Sequence, residues 1–184
     1  MHPALFFLPG ERLSQPELSA ARLDGHVVEV GEGYIPADLV ESPQARAAGL
    51  AALMGPGLAA SGPSAAWVHG AGDRPPLRHH AHRAVPRRVR APQSARLAFH
   101  DTALADHEML HIGGIAVSTP LRTMIDLVLA VHRDEALSVW AEALAEVAPG
   151  LLDEAAVALR SMHRVPGTRA ALAEVDRLKE AMTR

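Results

Sequence analysis

The sequence lacks cysteine and has few aromatic residues, and both absences narrow the class of protein. Without cysteine, neither disulfide bonds nor thiolate metal sites can form. Aromatic residues make up 3% of the 184 residues, whereas hydrophobic residues, many of them alanine, make up 48%. We therefore expect a core of alanine, leucine and valine on closely packed helices, in one compact domain or in a small module followed by a larger one.

Long hydrophobic runs are also missing. The apolar run nearest the N-terminus covers residues 4–8, is followed by Pro9-Gly10 and has no basic leader. It is too short for the hydrophobic part of a signal peptide or for a membrane-spanning helix. We therefore expect a cytoplasmic protein without membrane contact.

The net charge of −3 argues against a general nucleic-acid binder, but the charge is unevenly distributed. Residues 1–69 carry three arginines and seven acidic residues, and residues 101–184 carry eight basic and thirteen acidic residues. Residues 70–100 carry seven arginines and a single acidic residue, Asp73. A basic segment therefore lies between two acidic flanks.

The stretch that begins at Ser118-Thr119-Pro120 predicts the helix around which the chain is organised. Ser118 or Thr119 is suited to cap the helix, and Pro120 fits the first helical position, where no amide hydrogen is needed. Arg122 and Asp126 lie one turn apart and can form an ion pair, which we interpret as structural. A buried stripe is predicted at Leu121, Met124, Ile125 and Val128.

A second pattern near the N-terminus predicts a helix followed by a β-hairpin. Ser14 and Glu17 match a capping box, and the helix is expected to stop near Gly25. Two β-rich runs, residues 26–30 and 34–36, then flank a glycine turn. A helix followed by a tight hairpin is the back half of a winged helix-turn-helix, although a small helix–hairpin cap without a ligand has the same pattern.

The fold class predicted from these patterns is α+β. We expect a small winged-helix-like module over residues 1–40 and a helix-rich α+β domain over residues 41–184. Within the second domain, Trp67 is expected as a core anchor and His69 as a hydrogen-bonded residue near a helix end. Further helices are expected after Ser42, Ser61, Asp134, Asp153 and Thr168, and strands are expected at residues 97–100 and 115–117. Residues 72–96 are expected to form exposed strands or a long loop, and residues 104–111 a polar connection.

Two groups of histidines and carboxylates invite an enzymatic or metal-binding interpretation. His79, His80 and His82 could supply imidazole ligands, but neighbouring side chains on an extended chain point to opposite sides, and Arg78 and Arg83 would repel a cation. We therefore favour a solvated loop and predict neither a metal nor a cofactor. A metal-dependent hydrolase remains a minor alternative, with its cluster at Asp101, Asp106, His107, Glu108 and His111.

Taken together, the sequence resembles the AbiEi-like antitoxin family of type IV toxin–antitoxin systems. The resemblance rests on the hairpin at residues 30–36, on residues 61–70, on residues 97–100 with the later Asp106, and on residues 114–126, in that order. It covers about residues 25–180. The resemblance implies a winged-helix DNA-binding module, repression of the protein's own operon and a nucleotidyltransferase-like toxin as partner.

The resemblance and the basic segment together predict a non-enzymatic transcriptional regulator that binds duplex DNA. Glu29 and Glu32 replace basic residues in the wing, so the arginine-rich segment is expected to supply the phosphate contacts. Pairing of these arginines with the acidic flanks, and docking of an acidic partner protein, remain alternatives. The predicted DNA-binding residues are Gln15, Ser19, Arg22, Arg78, Arg83, Arg87, Arg88, Arg90 and Arg96.

Overall fold

The computed structural model describes residues 5–90 and 94–183, and these form an α+β fold, as predicted. Two sheets and seven α-helices are present in the described residues. The N-terminal elements are α1 (Gln15–Leu23), β1 (Val27–Val30), β2 (Gly33–Pro36) and α2 (Pro43–Leu50). The central elements are β3 (Leu58–Ala60), α3 (Gly62–Val68), β4 (His79–Arg83), β5 (Leu97–Ala103), β6 (Met109–Ile112) and β7 (Ile115–Ser118). The C-terminal helices are α4 (Pro120–Ala130), α5 (Leu137–Val147), α6 (Leu151–Ser161) and α7 (Thr168–Met182).

The N-terminal helix and hairpin form as the sequence predicts. The Ser14 amide donates to the Glu17 carboxylate at 2.7 Å, and the Ser14 hydroxyl accepts from the Glu17 amide at 3.4 Å, which is the predicted capping box. β1 and β2 pair antiparallel, and Gly31 adopts a φ of 61° in the turn. In the described part of the chain α1 is the single α-helix before the hairpin, so a complete winged helix-turn-helix remains a prediction.

The hairpin packs directly on α2. The Glu32 amide donates to the Gly49 carbonyl at 2.9 Å, and Val30 and Ile35 share one hydrophobic core cluster with Leu50. Gly49 has no side chain because the Val30 carbonyl oxygen occupies the space that a Cβ atom would need. The predicted boundary after residue 40 therefore falls between two elements that share a core, and it remains a prediction.

A five-stranded mixed sheet in the order β5-β4-β3-β7-β6 forms the centre of the fold. β4 is parallel to β5 and β3 is parallel to β7, whereas β3–β4 and β6–β7 are antiparallel. The three-residue strand β3 was not predicted. The polar connection predicted at residues 104–111 is wrong for its last part, since β6 begins at Met109 after a 3₁₀ turn at Asp106–Glu108.

The strand β4 corrects part of the prediction of exposed strands or a loop at residues 72–96: residues 79–83 form an interior strand, whereas residues 72–78, 84–90 and 94–96 form neither helix nor strand. It lies inside the sheet between β3 and β5, and its His79 is only 2% exposed. The Ser64 hydroxyl lies 3.1 Å from His79 Nδ1 and accepts from the His80 amide at 3.0 Å. These hydrogen bonds let a polar strand occupy an interior position, which a hydrophobicity pattern does not reveal.

The helix α4 begins and packs as predicted. The Thr119 hydroxyl accepts from the Arg122 amide at 3.2 Å, with Pro120 in the first turn. Met124, Ile125 and Val128 are buried, Leu121 is partly buried and Leu127 is buried as well, so the apolar face is wider than predicted. This face packs against α5, α6 and α7 in a second hydrophobic core cluster. Within the described ranges no helix is long and apolar enough to cross a membrane.

The helix α3 joins the sheet to the C-terminal helices. Trp67 is 1% exposed and contributes to the sheet-side core, as predicted. His69, just beyond the helix, is hydrogen-bonded as predicted, with its Nε2 2.7 Å from the Ser118 carbonyl oxygen at the end of β7. Burial lowers the pKa of His69, and the contact with Ser118 opposes this effect. The packing of Trp67 and the hydrogen bond between His69 and Ser118 hold α3 beside the start of α4.

Candidate functional site

A cleft of about 260 Å³ lies between the β4–β5 face of the sheet and α4. Its polar wall carries three imidazoles and the Thr102 hydroxyl, and its apolar wall carries Leu127, Leu129 and Leu137. Arg122 and Asp126 of α4 also line it. A concave site with one apolar wall and several convergent polar groups is the usual form of a ligand site.

Strand geometry brings the three imidazoles together. His80 and His82 are two residues apart on β4 and therefore point to the same face of the sheet, whereas His79 points to the other. His100 lies opposite His82 on the parallel strand β5. The solvated loop predicted for these histidines is therefore wrong, because β5 supplies a third imidazole and α4 closes the cleft over them.

The imidazoles contact one another directly. His80 Nδ1 lies 3.1 Å from His100 Nε2, and the two rings stack with centroids 5.2 Å apart. His82 meets His100 edge-on at 5.3 Å. Two ring nitrogens at hydrogen-bond distance share one hydrogen, so one ring donates and the other accepts. The arrangement therefore suits neutral imidazoles.

The electrostatics of the cleft keep these rings neutral at pH 7. Burial, followed by His100 and Arg78, lowers the pKa of His80 to about 4. Burial, followed by His100 and Arg122, lowers the pKa of His82 to about 3. Burial, with Arg133 and Arg78, also lowers the pKa of His100. The rings therefore act as hydrogen-bonding groups rather than as cations.

An ion-pair network centred on Arg122 of α4 lies beside the cleft, and two of its members, Arg122 and Asp126, line it. Arg122 contacts Asp126 at 2.9 Å, as predicted, and Glu108 at 2.6 Å, a partner that the sequence analysis did not find. Burial raises the pKa of Asp126 to about 6, although Arg122 opposes this effect. Burial also disfavours the charge on Arg122, but the two carboxylates outweigh it and raise the pKa of Arg122. Glu108 also holds the helix start, because its carbonyl accepts from the Thr119 amide at 2.8 Å.

Two buried polar atoms at the cleft, Asp126 Oδ2 and His82 Nδ1, lack a hydrogen bond among the described residues. The two atoms face each other at 3.9 Å. The separation is too long for a hydrogen bond. Because the imidazole is neutral at pH 7, the contact is a dipole facing a carboxylate and not an ion pair.

The hydrolase cluster considered in the sequence does not assemble. Asp101 lies on β5 and His111 on β6, which are opposite edges of the five-stranded sheet, about 19 Å apart at the usual strand spacing. Asp101 pairs with Arg83 and Glu108 with Arg122. Across residues 5–90 and 94–183, no group of three or more histidine and acidic residues is placed to hold a metal ion.

The predicted DNA-binding residues of α1 lie at the surface. Gln15 and Ser19 lie one turn apart, with 3.4 Å between the Gln15 amide nitrogen and the Ser19 hydroxyl. The Gln15 side chain also donates to the Tyr34 hydroxyl at 3.1 Å, which ties the helix to the hairpin. Arg22 lies 3.6 Å from Glu29, and both side chains are largely exposed.

The arginines of the basic segment fall into two groups. Arg83 and Arg96 are engaged: Arg83 pairs with Asp101 at 2.8 Å and donates to the Arg87 carbonyl at 3.0 Å, and Arg96 forms a two-fold contact with Glu32. Arg83 and Arg96 therefore pair with residues of the acidic flanks, which is one of the alternatives that the sequence left open. Arg78, Arg87, Arg88 and Arg90 are exposed and have no ion-pair partner among the described residues, and the same holds for Arg74, which was not among the predicted DNA-binding residues.

Polar residues on which the resemblance to the antitoxin family rests meet in the cleft. Ser61 comes from the second motif, His100 from the third, and Arg122 and Asp126 from the fourth, and all four line the same cavity. Sequence reasoning found these residues through their motifs. It missed the contributions of His80 and His82, because the pairing of β4 with β5 is not encoded locally.

The fold and the cleft define a class of α+β protein in which an N-terminal helix and hairpin precede a mixed sheet and a group of C-terminal helices. A family model described as the AbiEi antitoxin C-terminal domain matches residues 58–173, which is more than half of the chain. The chain therefore belongs to the AbiEi antitoxin family, and its role is that of an antitoxin in a toxin–antitoxin system. The matched range contains all of the residues that line the cleft.

Comparison with solved structures finds a likeness to the RV2827C protein from Mycobacterium tuberculosis. The two sequences are 16% identical, the match covers 89% of this chain and 70% of that chain, and the TM-score is 0.36. None of the curated proteins matches this chain.

Proposed function

We propose that this antitoxin is a non-enzymatic transcriptional regulator that binds duplex DNA in its own upstream region. The observation that carries this proposal is the exposed group Arg87, Arg88 and Arg90, which follows β4 and has no ion-pair partner among the described residues. Arginine binds phosphate with a planar fork of donors, and neutralisation of phosphates supplies most of the non-specific affinity for DNA. Such a regulator acts in the bacterial cytoplasm, where the operon lies.

The geometry of the loop supports this proposal. The Arg83 side chain donates to the Arg87 carbonyl, and this hydrogen bond restrains the loop that carries Arg87, Arg88 and Arg90. Val89 is partly buried against the sheet-side core, so its two arginine neighbours are held at the surface. A loop that is already restrained loses less conformational entropy when it binds DNA than a flexible loop does.

A second contact from α1 would supply sequence recognition. Gln15 is exposed and Ser19 is half-buried on this helix, and they carry amide and hydroxyl groups that can bind base edges. The wing residues Glu29 and Glu32 are paired with Arg22 and Arg96, which reduces their repulsion of phosphate. We therefore assign the phosphate contacts to Arg78, Arg87, Arg88 and Arg90, which are exposed and unpaired among the described residues, and not to Arg83 or Arg96, which are paired.

The experiment is fluorescence anisotropy of the full chain with a duplex from its own upstream region and with a scrambled duplex of equal length, at several salt concentrations. Tighter binding to its own duplex and a steep fall with salt are expected. The Arg87→Ala/Arg88→Ala variant should reduce the slope of log affinity against log salt by about 2, since each lost phosphate contact removes roughly 0.9.

A matched control removes two exposed arginines from the C-terminal helices, as Arg160→Ala/Arg169→Ala. This variant changes the net charge by the same amount and should keep the wild-type salt slope. Equal slopes in the two double variants would contradict the assignment to the loop. Absence of binding at low salt would reject the DNA proposal.

A toxin-binding module without DNA binding is the second candidate. Val139 on α5 and Val157 on α6 are 68% and 67% exposed, so each offers an apolar contact at the surface of the C-terminal helices. The partner suggested by the family resemblance is a nucleotidyltransferase-like toxin. Titration calorimetry with the toxin encoded beside this chain tests it: Val139→Asp should weaken binding, whereas Arg87→Ala/Arg88→Ala should not.

A further inference from the structure

Two exposed cations, Arg133 and Arg78, lie close enough to the histidine cleft to act on His100, and Arg78 is also one of the arginines assigned above to duplex DNA. Arg133 lines the cleft just beyond α4, and Arg78 precedes β4. Both are exposed, both act electrostatically on His100, and neither has an ion-pair partner in the described part of the chain. Arg78 makes one long contact, at 3.5 Å, to the Leu97 carbonyl.

The nearby carboxylates do not neutralise these two arginines. Asp126 and Glu108 are both engaged by Arg122. Asp134 acts on His80 and accepts from the Ala136 amide at 3.2 Å. Arg122 has two carboxylate partners and its network is therefore net negative, but all three side chains are joined by hydrogen bonds, so Arg78 and Arg133 are the charges left to contact an anion.

The polar wall offers donors suited to a phosphate group. Each neutral imidazole carries one N–H, and the hydrogen bond between His80 and His100 uses one of them, so two imidazole N–H groups and the Thr102 hydroxyl remain as donors. A phosphate monoester has three terminal oxygens and can accept from an arginine on either side and from an imidazole between them. A carboxylate has only two oxygens and uses fewer of these donors.

The opposite wall fits a ligand with an apolar or planar remainder. Leu127, Leu129 and Leu137 come from the helices that line the cavity, whereas the imidazoles come from the sheet, and the cavity has a volume of about 260 Å³. This volume lies just below the usual range of small-molecule sites, about 300–1,000 Å³, so a single nucleotide unit is the upper limit. Imidazole faces and leucine side chains together can hold a base by stacking and apolar contact.

We propose that this cleft binds a nucleoside monophosphate group, with its phosphate between Arg78 and Arg133 and its base between the imidazoles and the leucine wall. The group has two sources, a free nucleotide or the 5′-phosphorylated end of a nucleic-acid strand. Arg78 is shared by the two proposals, but Arg133 is not assigned to duplex DNA, and Arg87, Arg88 and Arg90 do not line the cleft. Arg133→Ala and Arg87→Ala/Arg88→Ala therefore test the two proposals separately.

The test follows histidine side-chain NMR signals and the melting temperature of the full chain with adenosine 5′-monophosphate, adenosine, inorganic phosphate and acetate. Adenosine 5′-monophosphate should shift the His100 signals and raise the melting temperature more than the other three. Arg133→Ala should weaken its affinity by about tenfold or more, which corresponds to the loss of one charge-assisted contact. Arg78→Ala should act in the same direction.

The matched control is Arg160→Ala, an exposed arginine of α6 far along the chain from the cleft, which should bind as the wild type does. A short strand with a 5′-phosphate, compared with the same strand carrying a 5′-hydroxyl, distinguishes the strand end from the free nucleotide. Unchanged His100 signals at millimolar adenosine 5′-monophosphate would overturn the proposal. So would equal effects of adenosine 5′-monophosphate and acetate, or wild-type binding by Arg133→Ala.

Discussion

Replacing His82 with glutamine is expected to make the protein less sensitive to acid. His82 is 9% exposed, and its environment lowers the imidazole pKa to about 3. In the unfolded chain the same imidazole is free of these contacts and protonates near its ordinary pKa of about 6.5. Because the unfolded state then binds a proton that the folded state rejects, the free energy of unfolding falls as the pH drops below about 6.5.

The magnitude follows from the two pKa values. Protonation of unfolded His82 lowers the free energy of unfolding by about 2 kcal/mol at about pH 5, compared with about 0.2 kcal/mol at about pH 7. The result hardly changes if the folded pKa is one unit higher, since the folded imidazole is still neutral at about pH 5. The wild type should therefore lose about 2 kcal/mol more than His82→Gln over this range.

The buried carboxylate beside His82 acts in the opposite direction. Burial raises the pKa of Asp126 to about 6, so the folded state binds a proton at about pH 5 that the unfolded state releases. Binding of this proton raises the free energy of unfolding of the wild type by about 1 kcal/mol between about pH 7 and about pH 5. His82→Gln retains Asp126, so the comparison of the two proteins isolates the effect of the imidazole.

The assay is urea unfolding at about pH 7 and about pH 5, followed by the fluorescence of the two tryptophans, Trp67 and Trp140. The control is His163→Gln, an exposed histidine beyond α6, which should show the wild-type loss of stability. If the wild type and His82→Gln lose the same free energy on acidification, the reasoning about the buried imidazole is wrong.

Three further substitutions test the packing around the site. Gly49→Ala should lower the melting temperature, because its Cβ would overlap the Val30 carbonyl oxygen at a cost of about 3 kcal/mol, more than the roughly 1 kcal/mol gained in helix propensity; an unchanged melting temperature would mean that the hairpin shifts freely. Trp67→Ala should cost about 3–5 kcal/mol in urea unfolding, since the side chain is fully buried, and a loss below 1 kcal/mol would place it outside the core. Asp126→Ala should lower the free energy of unfolding by about 2 kcal/mol, because it removes one partner of Arg122, and it should change stability more than DNA binding. Asp126→Asn should lower it less, because burial already favours the neutral acid. Equal melting temperatures with abolished DNA binding would refute a structural role.

Local chemistry made several elements predictable from the sequence. The start of α1 follows from Ser14 and Glu17, three residues apart, and the start of α4 follows from Thr119 and Pro120. The ion pair of Arg122 with Asp126 lies within one helical turn, so its geometry follows from the helix itself. The family resemblance depended on such short segments, and the match over residues 58–173 confirms it.

The fates of individual charged and polar residues required the tertiary structure. Arg83 and Arg96 look equivalent to Arg87 in the sequence, yet a carboxylate distant along the chain engages each of the first two. Glu108 reaches Arg122 across fourteen residues because the antiparallel pair β6–β7 brings the 3₁₀ turn beside the helix start.

The cleft shows the same division most clearly. The sequence by itself determined that α4 would present Arg122 and Asp126 together, because a helix sets the spacing of its own residues. Only the tertiary structure decided that His80, His82 and His100 would face them, because strand order and burial depend on contacts between distant segments. A polar strand at the centre of a sheet has no hydrophobic signature, and its position is set by the neighbours that satisfy its hydrogen bonds.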